Sequence, residues 1–148
     1  MLVLVRSLVI LATAISATVP STAWTTMAGE SAASQIDYAW DMLCYGDVRR
    51  VSKRLKFPSN RHSVMVNDSI KLCTKHLYQY SGKAGQRVTA KITGSTKTWI
   101  IISRKGGSRL VVGEREWQGA LPENGKYVFE IVTTEADVAR YTLQLEIH

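Results

Sequence analysis

Residues Tyr78–Gln86 read Tyr-Gln-Tyr-Ser-Gly-Lys-Ala-Gly-Gln, and Gly119–Tyr127 read Gly-Ala-Leu-Pro-Glu-Asn-Gly-Lys-Tyr. Each stretch is the end of one strand, a glycine-containing turn and the start of the next. Around them apolar and polar residues alternate, the pattern of a sheet with one wet face. Val88, Ala90 and Ile92 alternate with Thr89 and Lys91. Tyr127, Phe129 and Ile131 repeat the pattern, as do Tyr141, Leu143, Leu145 and Ile147. Trp99-Ile100-Ile101-Ile102 is apolar at every position, as a strand covered on both faces requires. Gly106-Gly107 marks a hairpin, and Asn124-Gly125 a turn that favours positive φ.

Towards the N-terminus the same period continues through Leu77–Tyr80, Ile70 and Leu72, and Val64 and Val66. Val51, Leu55 and Phe57 then share one face while Arg50, Arg54 and Lys56 share the other, before Pro58-Ser59-Asn60 breaks the run. That makes about eight short strands with no helical segment between them. The expected fold is mainly β, an antiparallel β-sandwich over residues 51–148. Residues 34–45 read as a short helix with Ile36, Ala39, Trp40 and Leu43 on one side and Gly46 as its stop. The alternation of Tyr38 and Trp40 also fits a strand. Residues 24–50 form an N-terminal extension in either case.

The first 23 residues read as a cleaved export signal. Arg6 gives a thin positive start, Ser7–Ala17 is apolar but too short for a membrane span, and small residues favour a cut after Ala23 or Ala28. Cleavage after Ala23 leaves 148 − 23 = 125 residues, one domain by size. The net charge falls from +7 to +6 with the loss of Arg6. An excess of that size fits either an anionic partner or simple solubility. A periplasmic or secreted location follows, and in that oxidising setting Cys44 and Cys73 are expected to pair.

Little in the chain points to catalysis. His148 is terminal, His62 sits in a turn, and His76, beside Lys75, reads as a solvent-exposed edge residue. No Gly-x-Ser-x-Gly elbow, His-Glu-x-x-His motif, phosphate loop or dinucleotide fingerprint occurs, so neither an enzyme nor a cofactor is expected. Asp68, Glu114, Glu116, Glu123 and Asp137 are scattered and read as solvated charge rather than a calcium cage. The positive residues are concentrated instead. Arg49, Arg50, Lys53, Arg54, Lys56 and Arg61 fall close together, and Arg104, Lys105 and Arg109 flank the Gly-Gly hairpin. An edge strand guarded by charge explains the first group. The functional alternative is a patch of Arg50, Arg54, Lys56 and Arg61 for an acidic cleft or an anionic envelope polymer. Nucleic acid is disfavoured, because export removes it and no aromatics interleave the cations.

Taken in order, Tyr78-x-Tyr80, Ala84-Gly85-Gln86-x-Val88, Leu121-Pro122-x-x-Gly125-x-Tyr127 and Tyr141-x-Leu143 resemble the bacterial pre-peptidase C-terminal domain, a small jelly-roll-like β-sandwich. The chain is also similar to periplasmic inhibitors of goose-type lysozyme. That likeness rests on Ser69-Ile70-Lys71, Tyr78, Ala84-Gly85-Gln86, Trp117-x-Gly119-x-Leu121-Pro122-x-x-Gly125-x-Tyr127, Ala136 and Ala139-Arg140. It departs from that family at Asp68, where a glycine is usual, and in a shorter connection from Thr133 to Arg140. The resemblance implies a non-catalytic protein whose partner is a lysozyme-type cell-wall hydrolase. A rigid sandwich would push its hairpin into such a cleft, where Arg104, Lys105, Ser108 and Arg109 would pair with catalytic carboxylates, and Arg140 is a further expected contact.

Overall fold

The structure is a computed structural model and describes residue 36 and residues 38–148. The export signal expected over residues 1–23, its cut after Ala23 or Ala28, and the start of the expected helix lie outside the described residues. A short helix, α1, is described at residues 36 and 38–43. Nine strands follow: β1 (Arg49–Arg54), β2 (Ser63–Ile70), β3 (Thr74–Gly82), β4 (Arg87–Gly94), β5 (Thr98–Arg104), β6 (Arg109–Glu114), β7 (Glu116–Ala120), β8 (Gly125–Thr133) and β9 (Ala139–Ile147). They form a five-stranded sheet in the order β1-β3-β8-β5-β6 and a four-stranded sheet in the order β2-β9-β4-β7. The two sheets pack as a β-sandwich. The strand beyond the expected eight is β7, too short for its alternation to stand out.

All pairings are antiparallel except one. β1 runs parallel to β3, with Arg49 opposite Thr74 and Arg54 opposite Gln79. A parallel pair needs a crossover, and here residues 55–73, including β2 in the other sheet, supply it. Leu55 and Phe57 continue the inward alternation after β1 has ended. They pack on the core without a ladder, Phe57 against Tyr80 at a ring separation of 5.9 Å.

The alternating residues meet between the sheets. Tyr78, Tyr127, Phe129, Ile131, Ile100 and Ile102 from one sheet face Val88, Ala90, Ile92, Leu143, Leu145 and Ile147 from the other. Truncating a buried aromatic such as Phe129 costs about 3–5 kcal/mol. The outer residues of β5 and β8 are covered too. Ile101 and Val132 pack with Trp40 and Cys44 of the N-terminal segment in a second, smaller cluster. This explains the uninterrupted apolar run at Trp99–Ile102. Of the expected face, Trp40 is buried and Ile36 half-buried, while Ala39 and Leu43 face solvent, so the face is corrected to one through Ile36 and Trp40 that continues to Cys44 just after the helix. Trp40 Nε1 donates to Thr133 O (3.1 Å), and the Lys75 ammonium lies 4.6 Å above its ring.

The two turns that open the sequence reading dock on each other. Gly85 N–H donates to Leu121 O (2.8 Å), and Ala84 N–H to the Asn124 side-chain oxygen (2.8 Å). Asn124 thus contributes its amide as a cap. Gly85 itself holds φ +80°, the left-handed region that excludes most side chains. At the opposite end Arg115 fixes the passage from one sheet to the other by donating to Ser95 O (2.6 Å) and Thr98 O (2.9 Å).

Cys44 and Cys73 are joined in a disulfide across 29 residues. The bridge ties α1 to the start of β3. By loop entropy, Cys44→Ala with Cys73→Ala should lower stability by about 3.5 kcal/mol. Urea unfolding with and without the bridge measures this. A loss under about 1 kcal/mol would show that α1 stays docked through Trp40 alone.

Candidate functional site

The chain contains two distinct charged regions, one buried between the sheets and one at the hairpin end. The first was misread in the sequence. His76 is 5% exposed, not an edge residue, because β3 is an interior strand flanked by β1 and β8. Its alternation places Thr74, His76 and Tyr78 on the inward face and Lys75 on the outer one. Asp68, also read as solvated charge, points inward from β2 opposite Tyr141 of β9.

These side chains form a polar chain across the gap. His76 Nδ1 lies 2.7 Å from Tyr141 Oη, Tyr141 Oη lies 2.7 Å from Tyr78 Oη, and Tyr78 Oη reaches Asp68 Oδ2 at 3.4 Å. Lys53 Nζ closes the chain on Asp68 Oδ2 at 3.0 Å. A carboxylate only accepts, so one arrangement satisfies every link. Tyr78 donates to Asp68, Tyr141 donates to Tyr78, and His76 donates from Nδ1 to Tyr141. Nε2 is then the unprotonated ring nitrogen.

The proton affinities follow the same geometry. Burial pushes the Asp68 carboxyl up, but the Lys53 ammonium and the Ser69 N–H together hold it below its ordinary range. Burial, aided by Lys53 and opposed by Asp68, holds His76 below the ordinary imidazole value. The 3.6 Å approach of His76 to Asp68 is therefore a contact of a neutral ring at neutral pH. Burial raises Tyr78 to about 12 against the lowering effect of the bond from Tyr141, and burial together with the bond to Tyr78 raises Tyr141 further. The network bridges the two sheets. Among the described residues no group of three or more His, Cys, Asp or Glu side chains could hold a metal.

The second region is the end formed by the β5–β6 hairpin and the β7–β8 loop. Gly106 at φ +75° makes the hairpin turn, and Lys105 N–H donates to Lys126 O (2.8 Å). Arg104, Lys105, Ser108, Arg109 and Lys126 therefore stand together. Glu123 of the β7–β8 loop is held by Arg104 in an ion pair. Tyr127 Oη donates to Glu123 O (2.7 Å) and stiffens that loop from below. Arg140 is not part of this group. It lies at the other end of the strands, where its carbonyl accepts from Ser95 N–H (3.0 Å), so the length of β5, about 20 Å, separates it from the hairpin. There it borders a shallow groove of about 500 Å³ with Asn67, Ser69, Gly94 and Thr142.

The basic strip also divides. Arg50 and Arg54 lie on the outer face of β1, and Lys56 and Arg61 are exposed in the connection after it. Arg49 and Lys53 point the other way, towards Thr74 and Tyr78 on the inward face. The alternation that grouped Arg50 with Arg54 carries this split, but only the position of β1 beside β3 shows which face is inward.

No protein-family model and no curated protein matches the chain. Solved structures do share its fold. It is similar to PliG of Aeromonas hydrophila, a periplasmic inhibitor of g-type lysozyme, at 25% identity and a TM-score of 0.61, over 68% of this chain and 98% of that one. It is also similar to the Salmonella Typhimurium PliG (21% identity, TM-score 0.54, 68% and 98% covered) and to a mutant of the Escherichia coli PliG (17% identity, TM-score 0.56, 68% and 100% covered). The last two likenesses speak for the fold.

The polar chain fixes a pH profile. Asp68 and His76 both bind protons less readily when folded, so stability falls as pH drops below about 6.5 through the His76 window, and again through the Asp68 window below 3.8. Tyr78 holds its proton more tightly when folded, so stability also falls above about pH 10 towards 12. Urea midpoints across pH should show a plateau between these limits. Tyr78→Phe should flatten the alkaline limb. A midpoint that rises from pH 7 to pH 5 would contradict the neutral, buried His76.

Proposed function

We propose that this protein is a non-catalytic inhibitor of a g-type, lysozyme-like cell-wall hydrolase and works outside the cytosol. The observation that carries the reading is the likeness to the Aeromonas hydrophila inhibitor, which extends over 98% of that protein at 25% identity. The Cys44–Cys73 disulfide supports an oxidising compartment.

The hairpin end supplies the contact surface in this proposal. Arg104, Lys105, Arg109 and Lys126 concentrate positive charge on a short turn backed by a rigid sandwich. A glycosidase cleft carries paired carboxylates, and a cationic loop entering it would meet them as water is displaced. Close charge pairs of that kind contribute about 1.5–7 kcal/mol in coupling. Lys105, Ser108 and Arg109 of the hairpin are the forward contacts in this proposal, and Arg104, held by Glu123, is a brace. Arg140, at the far end, would touch only a second part of the partner.

Purified protein should suppress lysis of a peptidoglycan suspension by a g-type lysozyme at near-equimolar ratio. Lys105→Ala and Arg109→Ala should each weaken this about tenfold or more, while Arg54→Ala leaves it unchanged. No suppression of any g-type enzyme at large excess would overturn the proposal. The alternative is an anionic-polymer-binding or adhesion module, favoured by the exposed outer-face pair Arg50 and Arg54. It predicts affinity for the polymer that falls steeply with salt and no effect on the enzyme.

A further inference from the structure

Among the described residues β1 and β2 are edge strands of their sheets, on the same side of the sandwich, and a cleft lies between them. The cleft there has a volume of about 240 Å³. Its walls bring together Arg49 and Lys53 from the inward face of β1, Ser69 and Lys71 from the end of β2, and Thr74 and His76 from β3. This lining has three cations, two hydroxyls and an imidazole, and it has no carboxylate. Lys53 is shared with Asp68 behind the wall, whereas Arg49 and Lys71 have no ion-pair partner among the described residues. Three positive charges less the one on Asp68 leave a net +2. Arg49 and Lys71 are exposed and Lys53 is half-buried, so the cleft presents its positive charge to solvent, where an anion would offset it.

We infer that this cleft binds a phosphate monoester or inorganic phosphate, held by Arg49, Lys53 and Lys71 with the Ser69 and Thr74 hydroxyls as further donors. The cleft draws cationic and hydroxyl donors from β1, β3 and the end of β2, and several such donors suit an oxyanion with three or four acceptor oxygens. The net +2 matches a phosphate dianion. His76 adds selectivity. Its Nδ1–H is committed to Tyr141, so Nε2 is the ring nitrogen left to meet a ligand at this wall. That acceptor suits a ligand hydroxyl, which the hydrogen phosphate dianion carries, whereas a monoester keeps one only as its monoanion and sulfate has none at neutral pH. The site lies at the opposite end of the strands from the β5–β6 hairpin, so it stands apart from the proposed lysozyme contact.

Isothermal titration at constant ionic strength, with inorganic phosphate, methyl phosphate, dimethyl phosphate and sulfate, tests the site. Phosphate and methyl phosphate should bind saturably with millimolar or tighter affinity. Dimethyl phosphate, singly charged, and sulfate, which cannot share a proton at neutral pH, should each bind about tenfold weaker or less well. Methyl phosphate binding tighter than free phosphate points to an ester as the ligand, and equal or weaker binding points to the inorganic ion. Arg49→Ala and Lys71→Ala should each cost about tenfold or more, with unchanged thermal midpoints in the absence of ligand. Arg50→Ala and Arg54→Ala remove the same charge from the outer face of β1 and should retain full affinity. The His76 ring nitrogen signals should shift during the phosphate titration. Equal losses in all four variants, equal binding of the diester, or no saturable binding in the tens of millimolar would overturn the inference.

Discussion

The sandwich is held in register by a polar chain that crosses the gap between its sheets. Apolar side chains supply the bulk of the drive to bring two sheets together, but that drive is nearly indifferent to small slides of one layer over the other. Hydrogen bonds are not indifferent. Tyr78 from one sheet and Tyr141 from the other meet at 2.7 Å, His76 meets Tyr141 at the same distance, and Asp68 with Lys53 terminates the chain at the open edge. A slide by one residue would leave two hydroxyls and an imidazole buried without partners, at about 1–3 kcal/mol each. No buried side-chain polar atom among the described residues lacks a partner, so this arrangement is fully satisfied as it stands.

The same chain explains why β1 belongs to the fold at all. A six-residue edge strand in a parallel pair gains little from its ladder. Lys53 adds a charge-assisted bond to Asp68 of the other sheet, so β1 is fastened to both layers. The disulfide performs the corresponding service on the outer face. It anchors α1 beside β3, where Trp40 covers Ile101 and Val132 and accepts the Lys75 ammonium over its ring. Lys75 can therefore sit nearly buried on a β-strand, offset by Trp40 on one side and Glu130 at 3.5 Å on the other.

The period-two signal was legible wherever a strand is wet on one side, and for that reason β4, β8 and β9 could be placed almost to the residue. It also showed that Trp99–Ile102 is covered on both faces, though not by what. Three features were hidden, each because it depends on a neighbour distant in sequence. The parallel partner of β1 is 25 residues away, as Arg49 opposite Thr74 shows, and nothing local distinguishes it from one arm of a hairpin. His76 follows Lys75 and looks like part of a polar edge until β1 and β8 flank it. Asp68 looks solvated until Tyr78, Lys53 and His76 converge on it. The one available signal was parity, since Asp68 falls in step with Val64, Val66 and Ile70, all inward residues of β2. A carboxylate in the apolar phase of a strand implies a buried partner.

Parity also settles how the positive charge is used. Counted along the sequence, the cations of β1 form one strip, yet a strand sends alternate side chains to opposite faces. Arg50 and Arg54 stand on the outer surface, where solvent screens them and an edge strand benefits from their repulsion of other edges. Arg49 and Lys53 stand on the other side, Lys53 half-buried, where a charge needs an answer, and Arg49 exposed at the open edge. For Lys53 the answer is Asp68, contributed by the chain itself. For Arg49 and Lys71 the described residues contribute none, and it is this imbalance, rather than the overall basicity of the protein, that singles out the cleft between β1 and β2.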